Sequence, residues 1–171
     1  MGRALMVGLT VLVAGLAAAA LWLGAARNAA RQDERDRQAA VRAAAVHAEA
    51  LLALDHRTVD QDVARLVATS TGQARDGYMK GRDAMRQEAL QREVSQTGVL
   101  RAAGLVAMSD GGRSAEVLVV GDALIRWGAD GKKRGGDSNA PGKPEERAYR
   151  WRMEVAKVGD RWLVSRAELV Q

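Results

Sequence analysis

From Ala4 to Ala26 the chain reads ALMVGLTVLVAGLAAAALWLGAA, without a charged residue. A helix of about 20 apolar residues spans the hydrocarbon core of a bilayer, so this run predicts a transmembrane anchor occupying residues 1–26. Trp22 stands near the far end, where an indole sits at the interface with its N–H hydrated. The competing reading is a cleaved signal peptide, with Ala18 and Ala20 as small residues near a cleavage point. The run exceeds the about 7–15 apolar residues of a signal peptide and only Arg3 precedes it, which favours an uncleaved anchor.

Beyond the anchor the pattern stays helical through residue 95. Residues 27–40, including Arg31–Gln38 (RQDERDRQ), mix both signs of charge and predict a solvated juxtamembrane continuation of the helix. Val41, Ala44, Ala45, Ala48, Leu51 and Leu52 then recur at helical spacing and mark one apolar face. Asp55, His56 and Arg57 interrupt it. Thr58 followed by Gln61 has the form of a capping box, with Asp60 and Asp62 well placed in the first turn. Val59, Val63, Leu66 and Val67 form the stripe of this short helix, and Gly72 is placed to end it in a left-handed cap. A third helix is expected over 73–94, with Ala74, Tyr78, Gly81, Met85 and Ala89 on one face.

From residue 96 the period changes to two. Gln96–Ser109, Ser114–Trp127, Arg147–Val158 and Arg161–Val170 read as four strands. In the third, Tyr149, Trp151, Met153 and Val155 alternate with Arg150, Arg152 and Glu154, the mark of a strand with one wet face. Gly159 at the first central position of a two-residue loop suits a type II′ hairpin. Residues 128–146, rich in Gly, Pro and charge, predict a mobile loop whose Lys132, Lys133 and Arg134 are solvated. Helices over 41–95 followed by an antiparallel sheet over 96–171 define an α+β domain, with helices packed on a curved four-stranded sheet.

Composition narrows the chemistry. With 171 residues and 47% hydrophobic content, one folded domain remains after the anchor. There is no Phe, so the core is built from Val, Leu, Ala and Met. The absence of Cys excludes disulfides, thiolate metal sites and a Cys nucleophile. The net charge of +5 is spread among acidic residues rather than gathered in a stripe, which argues against nucleic acid. Arg27, Arg31, Arg35 and Arg37 follow the anchor, so local charge alone would keep the domain cytoplasmic; long C-terminal domains, however, cross largely regardless of charge.

Two segments together resemble the Mce-associated membrane proteins. Leu51, Leu52, Asp55, His56, Arg57, Val59 and Asp60 fit a motif of the form L-L-x-x-D-[YH]-R-x-[LV]-D. Val158, Asp160, Arg161, Trp162, Leu163, Val164 and Ser165 fit a closing hairpin of the form V-x-x-G-x-W-L-V-S, although Gly here precedes Asp160. The resemblance implies an NTF2-like cone outside the cytoplasmic membrane of actinobacteria. It also implies a non-catalytic accessory role beside Mce-type lipid or sterol import complexes, with other envelope proteins as partners. The same layout resembles VirB8-like scaffold subunits of conjugation and secretion machines.

Catalytic signals are thin. The two histidines, His47 and His56, are too far apart for a compact metal-ligand pair, and neither a Walker loop nor a GxSxG elbow is present. No cofactor site is expected. Asp55 and His56 are the one acid–imidazole pair available for proton transfer in an NTF2-like enzyme or lipid-binding protein. Neighbours on a helix end do not face each other, so the favoured reading has Asp55 capping backbone N–H groups of the next turn or pairing with Arg57. Trp127, Trp151 and Trp162 are candidates to line a cavity for an apolar ligand, with core packing the more ordinary use of strand tryptophans.

Overall fold

The computed structural model describes residues 2–109, 111–128 and 144–170; in the first helix it describes the side chains of 15–16, 21–25 and 27 onward. The chain divides into two units, Met1–Asp36 and Arg37–Gln171. The elements are α1 (Gly2–Leu52), β1 (Leu54–Asp55), α2 (Val59–Ala68), α3 (Gly72–Gln91), β2 (Ser95–Met108), β3 (Ser114–Arg126), β4 (Glu145–Val158) and β5 (Arg161–Leu169).

The first unit is helical, and Leu16, Leu21, Trp22 and Leu23 on it are exposed. Among the described residues no helix is long and apolar enough to cross a membrane. Most of the expected Ala4–Ala26 span lies outside the residues whose side chains are described.

In the second unit the antiparallel sheet has the order β1-β2-β3-β4-β5, five strands rather than the expected four. The extra strand is β1, which pairs Leu54 with Gln96 and Asp55 with Ser95. Two residues give no alternation to read, so the strand is invisible to periodicity. The other four strands fall where the two-residue period places them. β4 starts at Glu145, inside the expected loop, and residues 129–143 of that loop lie outside the described residues.

Alternation buries Val117, Val119, Ala123 and Ile125 of β3, Trp151, Met153 and Val155 of β4, and Trp162 and Val164 of β5. Ala40, Ala44, Ala48 and Leu52 of α1 complete the same core, and small side chains at a four-residue spacing let helix and sheet approach closely. The approach is closest at Leu52. A methyl group built on Gly98 would lie 2.6 Å from Leu52 Cβ, and one on Gly121 2.7 Å from Leu52 Cδ1. Glycine at these two strand positions makes a notch for the leucine.

Single-residue bulges at Arg101 and Val106 of β2 and at Ser165 of β5 re-phase those strands. At the β4–β5 turn Gly159 has φ of 60° while Val158 pairs with Arg161, as a type II′ hairpin requires. The far edge of β5 is covered at Val164 by the α2–α3 connection. Thr71 N–H donates to the Val164 carbonyl at 2.8 Å, and Val164 N–H to the Thr69 carbonyl at 3.1 Å.

Two terminus expectations fail. No capping box forms at Thr58, whose hydroxyl donates instead to Asp62 Oδ2 at 3.0 Å. Gly72 does adopt a left-handed φ of 49°, but as the first residue of α3; α2 has already ended at Ala68. The ordinary capping preference of Thr yields here to the buried Asp62 carboxylate, which needs donors.

Candidate functional site

The segment from Leu51 to Asp62 turns one corner of the domain, and each of its three carboxylates, on Asp55, Asp60 and Asp62, has hydrogen-bond donors within the domain. Leu52 fills the glycine notch while Leu51 packs at the edge of the core. The Asp55 carboxylate accepts from the Arg57 backbone N–H at 2.9 Å, from Arg57 Nε and Nη2 at 3.0 and 3.1 Å, and from the Ser95 hydroxyl at 2.8 Å. The side-chain and then the backbone bond from Arg57 hold this carboxyl well below the usual carboxylate range. The favoured reading of Asp55 therefore matches on both counts, an Asx-type cap and a guanidinium pair.

His56 is tied to the start of β2. Its backbone N–H donates to the Val94 carbonyl at 2.8 Å, and Nδ1 lies 3.1 Å from the same oxygen. Nδ1 is 3.7 Å from Asp55 Oδ1, too long for a hydrogen bond, so the two side chains touch without forming a catalytic dyad. Asp62, 2% exposed, accepts from the Asp55 N–H and the Thr58 hydroxyl, each at 3.0 Å, and pairs with Arg65. Asp60 reaches across to α3, where Arg86 Nε and Arg82 Nη2 donate to it at 3.2 and 3.5 Å.

Beside this corner opens a half-enclosed cleft of about 530 Å³, lined by His56, Arg57, Thr58, Val59, Asp60 and Gln61 with Arg86 and Leu90 of α3. No residue of β2–β5 lines it. The tryptophans lie elsewhere. Trp151 and Trp162 belong to the core and Trp127 packs against it, with Tyr149 stacked on Trp151 at 5.1 Å. Arg92 sits 5.8 Å over the Trp127 ring and Lys157 5.9 Å over that of Trp162. Leu163 and Val164 of the closing hairpin occupy β5, Val164 fully buried.

One polar cluster escaped the sequence reading. His47 is fully buried between helices; Nδ1 lies 2.7 Å from Thr69 Oγ1 and Nε2 3.0 Å from the Tyr78 hydroxyl. Thr69 Oγ1 itself donates to the Arg65 or Leu66 carbonyl, at 3.0 and 3.2 Å. The pattern is therefore satisfied by a neutral imidazole that donates from Nδ1 to Thr69 and accepts the Tyr78 proton at Nε2. Burial lowers the His47 pKa to about 4 and raises that of Tyr78. A signal was available: His47 lies three residues after Ala44 and four before Leu51, on the apolar stripe itself. Among the described residues no group of His, Asp and Glu has the arrangement of a metal site.

A curled antiparallel sheet with helices packed on it is the fold of NTF2/VirB8-like domains. Solved structures agree on the fold. The periplasmic domain of DotI superposes with a TM-score of 0.55 at 12% identity, over 76% of this chain and 91% of that one. An IcmL-like type IV secretion system protein from Legionella pneumophila gives 0.53 at 8% identity, over 77% and 91%. A putative aromatic ring hydroxylase from Novosphingobium aromaticivorans gives 0.54 at 14% identity, over 79% and 87%. The chain belongs to the family described as Uncharacterized protein Rv1363c/MT1408-like, whose model matches residues 3–171. Rv1363c of Mycobacterium tuberculosis is 27% identical over 120 residues, which cover 70% of this chain, and the chain spans 41% of that relative's length.

Proposed function

We propose that the chain is a non-enzymatic accessory subunit of a cell-envelope assembly, tethered by the Ala4–Ala26 segment to the cytoplasmic membrane with its NTF2-like domain outside. The observation that carries the proposal is the occupation of the sheet's inner face. Ala40, Ala44, Ala48 and Leu52 of α1 pack against Val117, Val119, Met153 and Val155, where a catalytic cone would keep an open cavity holding its acid and base. Asp55 and His56, the one acid–imidazole pair, are bonded into the corner instead. Exposed Leu21, Trp22 and Leu23 suit a lipid environment better than water. Tethering confines the domain near its partners, so modest interfaces suffice.

The assembly we favour is an Mce-type lipid or sterol import complex, on the strength of the Leu51–Asp60 motif and the Trp162–Val164 hairpin. A VirB8-like scaffold of a secretion or conjugation apparatus is the second reading, favoured by the fold likeness to DotI and the IcmL-like protein. Mild cross-linking of the tagged full-length protein in its native membrane, with partners identified by mass spectrometry, tests both. Mce-domain proteins or their permease among the partners support the first reading, and secretion subunits the second. A protein recovered alone, with apolar ligand bound to the domain, would sink the accessory role and turn attention to an NTF2-like lipid-binding protein or enzyme.

A further inference from the structure

We infer that the cleft between the α2 start and α3 is the docking site for an acidic, aliphatic-containing segment of a partner protein. The inference rests on the docking role proposed above and assigns that role a place and a chemistry. The motif residues His56, Arg57, Val59 and Asp60 form one wall, and Arg86 and Leu90 of α3 the other.

Charge at the cleft is unbalanced. One carboxylate, Asp60, faces two guanidinia of α3, Arg82 and Arg86. Arg86 contacts it through Nε, which leaves its two terminal nitrogens for a ligand. Arg57 contacts Asp55 through Nε and Nη2, which leaves Nη1, and its side chain is 74% exposed. Guanidinium forks held in place by a carboxylate behind them are matched to a second carboxylate in front, which a point-charge ammonium would match less well. The Thr58 hydroxyl is turned to Asp62, and the Gln61 and Asp62 N–H groups donate to the Thr58 carbonyl at 2.8 and 3.0 Å, so the cleft's recognition chemistry rests on its side chains.

The apolar component is equally local. Leu90 is 42% exposed at the cleft although it stands on a helix whose sheltered face is Ala74, Tyr78, Gly81, Met85 and Ala89. Val59, buried, supplies the adjoining floor. An exposed leucine beside paired arginines suits an aliphatic side chain flanked by carboxylates. The walls are fixed by Asp55, Asp60 and Asp62, so little ordering is lost on binding.

The test uses full-length protein in detergent micelles and two fluorescein-labelled octapeptides, one alternating Leu with Glu and one alternating Leu with Lys. Fluorescence anisotropy should show saturable binding of the Glu peptide, weakened at least tenfold by Arg86→Glu and by Leu90→Asp, and none of the Lys peptide. Unchanged circular dichroism certifies each variant, and Arg86→Gln serves if the reversal fails to fold. Equal binding of both peptides, no binding of the Glu peptide, or indifference to both substitutions would overturn the site. The cross-linking experiment repeated with Arg86→Glu separates the two proposals. Partners retained by the variant would leave the accessory role standing and remove the cleft from it, whereas partners lost only in the variant support both.

Discussion

His47 and His56 stand nine positions apart and meet opposite environments. His47 is sealed inside a three-helix junction, bonded at both ring nitrogens, with its pKa lowered to about 4 by desolvation. His56 lies at the wall of an open cleft, with one ring nitrogen on a backbone carbonyl. The difference reflects what each region does. Around His47 the domain is closed and every polar atom is matched from within. Around the Asp55–Asp62 corner, acidic groups hold arginines in place while leaving some of their donors facing outward. The first arrangement closes the fold from within; the second leaves arginine donors at the surface of the domain.

The sharpest way to break this contrast is to damage the closed region. Trp162→Ala removes a buried indole from the core and should cost about 3–5 kcal/mol, read from thermal or urea unfolding. An unchanged melting temperature would refute its core role. Next comes acid. In the unfolded chain His47 takes up a proton at the ordinary histidine value of 6.5, whereas in the folded domain it resists protonation down to about 4. Stability should therefore fall as pH drops from 6.5 towards 4, by up to about 3 kcal/mol, with no further contribution from this group below 4. His47→Gln should flatten that slope. A slope that survives the substitution would move the titration to another group.

Gly121→Ala tests the helix–sheet notch and should cost about 1–3 kcal/mol by crowding Leu52. At the corner the effects shrink. Asp55→Asn weakens the Arg57 and Ser95 bonds and should cost about 1 kcal/mol. Because Asp55 titrates below its ordinary value when folded, its contribution is present above pH 3.8 and is lost as pH falls below that, a window distinct from that of His47. His56→Gln should change stability by less than about 0.5 kcal/mol, read from thermal unfolding. A larger loss would show that the contact of its ring with the Val94 carbonyl matters more to the fold than an ordinary surface bond.

The same contrast explains what could be read from the sequence. Strands β2 to β5 were legible because one wet face gives a strict alternation, as in Tyr149 to Val155. The helical faces were legible for the same reason at a longer period. β1 was not, since two residues carry no period, and the bulges at Arg101, Val106 and Ser165 were not, since a single extra residue resembles noise in alternation. At the corner, Asp55 and Arg57 were legible through turn chemistry. The failed capping box at Thr58 was not, because Asp62 becomes fully buried only once α2 has packed. The place of His47 on the apolar stripe was legible, but its bonding was not, because Thr69 and Tyr78, distant in sequence, complete it.

Among the described residues, β2 beyond Gln96 has no strand on its outer side. A long open border of Val, Leu, Ala and Gly is a template on which another chain could propagate a sheet. Here the border is interrupted twice, at Arg101 and Val106, and the first interruption carries a charge bonded to Asp122 at 2.7 Å. None of the three stretches is long and flat enough to seed a regular ladder. The two bulges that blurred the strand's pattern thus deny another chain a long regular edge on which to build a sheet.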